Sequence, residues 1–235
     1  MQGGRQHVEI CHLVGNAPGS GPAWAHRRTH PAGADHDNGP MDHQPGGQEP
    51  EQFHAETVQA WRAWLLVHHT RRQGVWLVQW KARSGKPAIP YEQAIEEALC
   101  FGWVDSTYRS LDEERGMLWY SPRRKGSLWA RSNKERVARL EAAGRMTDAG
   151  RAAIELAKAD GSWTILEPVE DLIVPADLAA ALDARPGARE HWEAFPPTAK
   201  RAFLLRVATA KRPETRARRV TDCADLVQGG ERIDR

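Results

Sequence analysis

The stretch Tyr91–Asn133, YEQAIEEALCFGWVDSTYRSLDEERGMLWYSPRRKGSLWARSN, leaves few choices for the chain around it. Ala94, Ile95, Ala98, Leu99 and Phe101 recur at helical spacing, and Glu92, Glu96 and Glu97 are expected to face water. Gly102 ends that helix, because glycine takes a left-handed cap without strain. Trp103–Tyr108 then alternates as a strand does, and Met117–Tyr120 supplies a hairpin partner across the loop Asp112–Gly116. Upstream, Val75–Trp80 is short, β-branched or aromatic and followed by a loop, so a third strand is expected there. A three-stranded antiparallel sheet needs helices over one face to be stable. The helix over 90–101 can cover it together with the run Ala55–His69, where Val58, Trp61, Leu65 and His68 share one side with Trp64 beside them. The expected fold class is α+β, a small antiparallel β-sheet covered by helices and followed by an all-helical C-terminal region.

Four segments are expected along the chain. Residues 1–50 hold nine Gly, six Pro and six His with little hydrophobic periodicity, which is the composition of a disordered N-terminal tail. Its most apolar window, Val8–Val14, is broken by Glu9 and His12, so no signal peptide is expected. Met41 stands just before the folded part, and residues 1–40 are read as an upstream extension. Residues 51–160 form the α+β domain. Residues 161–174, GSWTILEPVEDLIV, are acidic and Pro-interrupted and are expected to be an extended linker. Residues 175–235 form a helical C-terminal domain, in which Phe203, Leu204 and Val207 face Val220, Cys223, Leu226 and Val227 in a helical hairpin. Cysteine spacing implies neither a disulfide framework nor a zinc site, and Cys100 reads as a small buried hydrophobe. His68 and His69 are adjacent on a helix and do not converge on a metal. Ser84-Gly85-Lys86 lacks the frame of a phosphate loop.

The formal net charge of +2 hides an uneven distribution. Ser121–Arg139 carries seven basic residues against one acid, and Lys200–Arg219 carries eight against one. Glu141–Glu193 between them carries eleven acids against five basic residues. Two basic surfaces of this kind suit an anionic partner, either nucleic acid or an acidic protein. In the first block Pro122 keeps the chain extended, so Arg123, Arg124 and Lys125 lie on a loop. Ser127 is expected to cap a helix carrying Trp129, Arg131, Asn133 and Arg136. Helix-start donors beside cations favour an anion, arginine binds it bidentately, and Trp129 offers a stacking surface. In the second block Lys211 and Arg212 form a tight turn between two helices, and Arg216 and Arg219 follow it. The competing expectation is that these charges are consumed by the acidic stretch between the blocks.

A second candidate is a pocket around Trp103, Asp105 and Ser106, with Asp105 as hydrogen-bond acceptor or general base beside Trp103 and Trp129. Asp105 can equally pair with Arg123 or Arg124. Its only distant histidine candidate in the folded part is His191, and no catalytic residue, metal site or cofactor is assigned.

Three stretches, SGKPAIPYEQAIEEALCFGWVDS, YSPRRKGSLWARSNKERV and AKRPETRARRV, resemble the bacteriocin-protection, YdeI/OmpD-associated family over about residues 57–232. The positions within them that stand out are Trp103, Asp105, Arg123, Arg124, Trp129, Asn133, Lys211, Arg212, Glu214 and Arg216. The resemblance implies stress or envelope protection against bacteriocins or antimicrobial peptides and association with an outer-membrane porin. It brings no catalytic residues. Family descriptions suggest the periplasm, whereas the missing export signal here points to the cytoplasm.

Overall fold

A computed structural model describes residues 50–233; the expectations for residues 1–49 lie outside it. The described residues divide into two compact units, the first ending at Pro122 and the second beginning at Arg123. Sheet and helices together make the protein α+β.

The first unit is built on a four-stranded sheet of order β1-β2-β4-β3, with β1 at Gln52–His54, β2 at Val75–Trp80, β3 at Trp103–Ser110 and β4 at Arg115–Pro122. The three expected strands are present, and the β3–β4 hairpin extends further than its alternation suggested. β1 is an addition, and it pairs parallel to β2, so the sheet is mixed rather than antiparallel throughout. β2 and β3 both run antiparallel to β4, which is therefore central.

The register assigns every side chain to a face. Phe53 is opposite Leu77, Val75 opposite Tyr120, and Tyr120 opposite Asp105, so these residues share one side. On that side lie α1 (Val58–His68) and α2 (Tyr91–Cys100). Thr57 caps α1 by accepting a hydrogen bond from the Ala60 backbone N–H. Trp61 is fully buried, stacks against Phe53 and Trp64, meets Tyr120 at 5.2 Å, and donates its indole N–H to the Ala94 carbonyl at 3.1 Å. One side chain thereby ties α1 to both the sheet and α2. Glu97, expected to face water, is 4% exposed and takes a hydrogen bond from Arg62 at 2.6 Å. Its partner lies on α1, which a reading of α2 alone does not show. Cys100 is fully buried, as its apolar surroundings in sequence suggest.

The second unit is helical. Its elements are α3 (Arg131–Ala142), α4 (Asp148–Ala159), the short α5 (Glu167–Glu170), α6 (Ala176–Asp183), α7 (Ala188–Ala194), α8 (Pro197–Ala208) and α9 (Pro213–Gln228). Pro197 and Pro213 each open a helix from the first turn, where the missing N–H costs nothing. Phe203, Leu204 and Val207 of α8 share a core with Val220, Cys223 and Val227 of α9, and Leu226 packs partly buried against it. Burial pushes the Cys223 thiol up to about 11, which makes it an inert filler. The stretch 161–174 is not extended. It turns through α5 and buries Leu166 and Val169, because its apolar residues have a helical core to join. Among the described residues no helix is long and apolar enough to cross a membrane.

Candidate functional site

The basic segment after Pro122 does not form the helix start expected of it. α3 begins at Arg131, with Ala130 and not Ser127 at its cap position. The Ser127 hydroxyl instead closes the preceding turn, accepting from the Arg124 backbone N–H at 2.9 Å, while Ser127 N–H donates to the Arg124 carbonyl. The donors at the α3 terminus are already engaged, since Arg131 N–H gives hydrogen bonds to both carboxylate oxygens of Glu170, at 3.0 and 3.2 Å. An internal carboxylate thus occupies the place where the sequence suggested an external anion.

Several predicted ligands are likewise engaged internally. Trp129 is 1% exposed; the Arg123 guanidinium lies 3.6 Å above its ring and Trp163 packs beside it at 5.0 Å. Arg123 also donates to the Leu128 carbonyl at 2.9 Å. The pair is part of the core and not a platform for a base. Asn133 is buried and accepts from Arg136 at 3.1 Å. Arg131 reaches Asp171 at 2.6 Å, Lys134 reaches Glu167 at 2.7 Å, and Arg216 grips both oxygens of Asp177 at 2.7 and 3.0 Å. Arg219 donates to the Arg206 carbonyl and to Thr209.

Apart from the ion-paired Arg131, four of the predicted cations are exposed at the surface. Arg124, Lys125, Lys211 and Arg212 are exposed, and among the described residues Arg124, Lys211 and Arg212 have no carboxylate within ion-pair distance. The two basic blocks meet here, because the Lys211 ammonium lies 3.5 Å from where a Cβ on Gly126 would stand. Gly126 has φ +80°, so a side-chain-bearing residue would strain the turn even though a Cβ there would meet the lysine only in ordinary contact. The turn is fixed from below by Asp160, whose carboxylate accepts from Gly126 N–H at 2.8 Å and from Ser162 N–H at 2.9 Å. The Ser162 hydrogen bonds, the Gly126 N–H and the nearby Lys125 charge hold the Asp160 carboxyl below its ordinary value. Backbone rigidity and projecting charge are thus supplied by different residues.

The pocket candidates lie on β3 in the first unit. Trp103 is fully buried and its N–H donates to the His69 carbonyl at 3.2 Å. Asp105 is 6% exposed and accepts from the Tyr91 hydroxyl at 3.1 Å; Ser106 follows where the β3–β4 register slips between Asp105 and Tyr108. Trp129 belongs to the second unit. Two cavities, of about 240 and 130 Å³, are lined by second-unit residues only, around Trp163 and around Ile173. His191 places its Nδ1 3.0 Å from the Val227 carbonyl at the end of α9, a capping arrangement. His68 and His69 each meet a carbonyl on their own helix, and neither faces the other.

The Arg216–Asp177 pair sets a pH dependence. The Arg216 hydrogen bond holds the Asp177 carboxyl below the ordinary value of 3.8. A carboxylate depressed by folding contributes stability that is full above 3.8 and is lost as pH falls through the lower folded value. Because the pair is partly exposed, Asp177→Asn is expected to cost only about 0.2–1 kcal/mol at neutral pH. Urea midpoints of wild type and Asp177→Asn should differ at pH 6 and converge as the pH falls through the lowered folded value of Asp177.

Comparison with known proteins divides the chain differently. Residues 171–230 match the family described as bacteriocin-protection, YdeI or OmpD-associated. Residues 53–153 match a separate domain family of unknown function, DUF8412. The resemblance seen over 57–232 thus carries the bacteriocin-protection description in its last sixty residues, from just before α6 to the end of α9. No curated protein and no solved structure is matched.

Proposed function

From the match of residues 171–230 to the bacteriocin-protection, YdeI- or OmpD-associated family, we propose that the chain is a non-enzymatic envelope- or stress-protection protein that binds a polyanionic partner. The surface we assign to that partner is Arg124, Lys125, Lys211 and Arg212 around Gly126. The observation that carries the reading is the approach of Lys211 to Gly126, which gathers cations from both basic blocks onto one short turn. Like charges held together repel one another, and an anion that meets them relieves the repulsion. Nucleic acid and acidic protein both offer such charge.

Fluorescence anisotropy with labelled RNA, single-stranded DNA and duplex DNA over a salt series tests the reading. Binding should weaken steeply with salt, and Arg124→Glu/Lys211→Glu should reduce affinity at low salt at least about tenfold and flatten the salt slope by about two. Circular dichroism should be unchanged, since among the described residues neither side chain is engaged in an ion pair. Absence of binding to every anion at low salt, acidic polypeptide included, would overturn it.

A second reading, an internally paired scaffold, is supported by the contacts of Arg131, Lys134 and Arg216 with Asp171, Glu167 and Asp177. The two readings divide the basic residues between them, with paired cations holding α5 and α6 in place and unpaired ones meeting the partner.

A further inference from the structure

The sheet of the first unit has a second face, opposite α1 and α2. The register places Trp76, Val78 and Trp80 of β2 on it, beside Met117 and Trp119 of β4 and His54 of β1. Trp76 and Trp119 are paired across the strands, 5.1 Å apart with an edge-to-face tilt of 62°. His54 meets Trp80 edge-on at 5.1 Å. Trp80 and Trp119 remain partly exposed.

Cations are laid directly on these rings. The Arg109 guanidinium lies 5.2 Å from the Trp76 centroid and the Lys86 ammonium 4.0 Å from that of Trp80. Lys86 also meets Glu114 at 2.8 Å at an exposed position, whereas Arg109 has no ion pair among the described residues. The uncompensated charge therefore lies on the Arg109 side of the face. Arg109 is opposite Met117, and Met117 is opposite Val78, midway between Trp76 and Trp80 along β2. Four residue steps along the strand separate Trp76 from Trp80, about 13 Å at the usual rise.

Trp119 packs closely against the chain at Gly74. A Cβ on Gly74 would stand 2.3 Å from the Trp119 ring, so the indole rests on bare backbone at the start of β2. Any side chain there would lift it.

We propose that this face is a stacking platform for single-stranded nucleic acid, with a base on Trp119 and the neighbouring phosphates on Arg109 and on the Lys86 that covers Trp80. Alternating indoles and cations provide two kinds of contact that such a strand needs, π-surfaces for bases and positive charge for the backbone. A duplex keeps its bases stacked within itself and offers only phosphate. An acidic peptide offers charge without planar groups, so it would leave the indoles unused. The site lies in the first unit and does not depend on the basic turn at Gly126.

The test uses the full chain carrying Arg124→Glu/Lys211→Glu, which neutralises the other basic surface by setting two carboxylates against Lys125 and Arg212. Anisotropy is measured with labelled oligothymidylate, a duplex of equal length, an abasic strand of equal charge, and polyglutamate as competitor. Oligothymidylate should bind at least about tenfold more tightly than the duplex or the abasic strand. Trp119→Leu should weaken it by about tenfold to a hundredfold, with partial recovery in Trp119→Phe. Arg109→Gln, which keeps every aromatic ring, should weaken binding and reduce its salt dependence, and it stands in for Trp119→Leu if that variant does not fold. The proposal is overturned if oligothymidylate fails to bind at low salt, or if the abasic strand binds equally well. Unchanged binding in folded Trp119→Leu, or equal displacement by polyglutamate, overturns it too. None of these failures touches the reading at Gly126, whose own variants are scored against polyanions of every kind.

Discussion

Replacing Trp129 with alanine is expected to destabilise the second unit by about 3–5 kcal/mol, the cost of deleting a large aromatic side chain from a packed interior. Trp129 is 1% exposed, roofed by the Arg123 guanidinium and flanked by Trp163. Removing it leaves a hole that Trp163 fills only in part and strips Arg123 of its stacking partner. A tryptophan displayed on the surface for a ligand would behave otherwise, since such substitutions stay within about 0.5 kcal/mol. Urea denaturation followed by circular dichroism separates these outcomes. Trp129→Phe should cost much less, because the Trp129 indole N–H is buried without a hydrogen-bond partner among the described residues and its loss removes nothing favourable. An unaltered midpoint in Trp129→Ala would show that the indole is not part of the core.

Trp61→Ala should be as damaging to the first unit, again by about 3–5 kcal/mol. The side chain is fully buried against Phe53, Trp64 and Tyr120, and its N–H spans to the Ala94 carbonyl of α2. The loss is a large share of the 5–15 kcal/mol typical of folded proteins. Trp61→Phe keeps much of the aromatic packing and forfeits the hydrogen bond, so about 1–2 kcal/mol is expected for it. Thermal melts of wild type and both variants, read in the near ultraviolet, give the ordering directly. Equal stability of the three proteins would mean that α1 does not depend on Trp61 for its seat on the sheet.

How far the sequence could be read depended on the range of the interaction concerned. α1, α2, β2, the β3–β4 hairpin and the α8–α9 hairpin carry their own periodicity and turn residues, so they were visible locally. β1 is three residues long and exists because β2 offers a parallel edge, which no pattern within Gln52–His54 announces. Glu97 looks solvated along α2 until Arg62, from another helix, is brought to it. The same applies to the basic segment. Residue type alone identified Arg123–Asn133 as anion-seeking, and for Arg131 the anion found was Glu170 and Asp171, some forty residues later. Meanwhile Lys211, nearly ninety residues from Gly126, joined the loop only through the fold. Composition gave the inventory of charges, but tertiary contacts decided which were used internally. The aromatic and basic face of the sheet escaped notice because Trp80, Arg109 and Trp119 are unremarkable until strand register sets them side by side.

The meeting of Gly126 with Lys211 has an evolutionary reading. Arg124 and Lys125 lie in the segment that matches one sequence family, and Lys211 and Arg212 lie in the segment that matches another. A chain inheriting only the bacteriocin-protection segment would receive half of the charged surface and would need a different neighbour to complete it. Recombination of such segments can therefore change which charges the surface carries without altering a single residue of the part that lends the family its description.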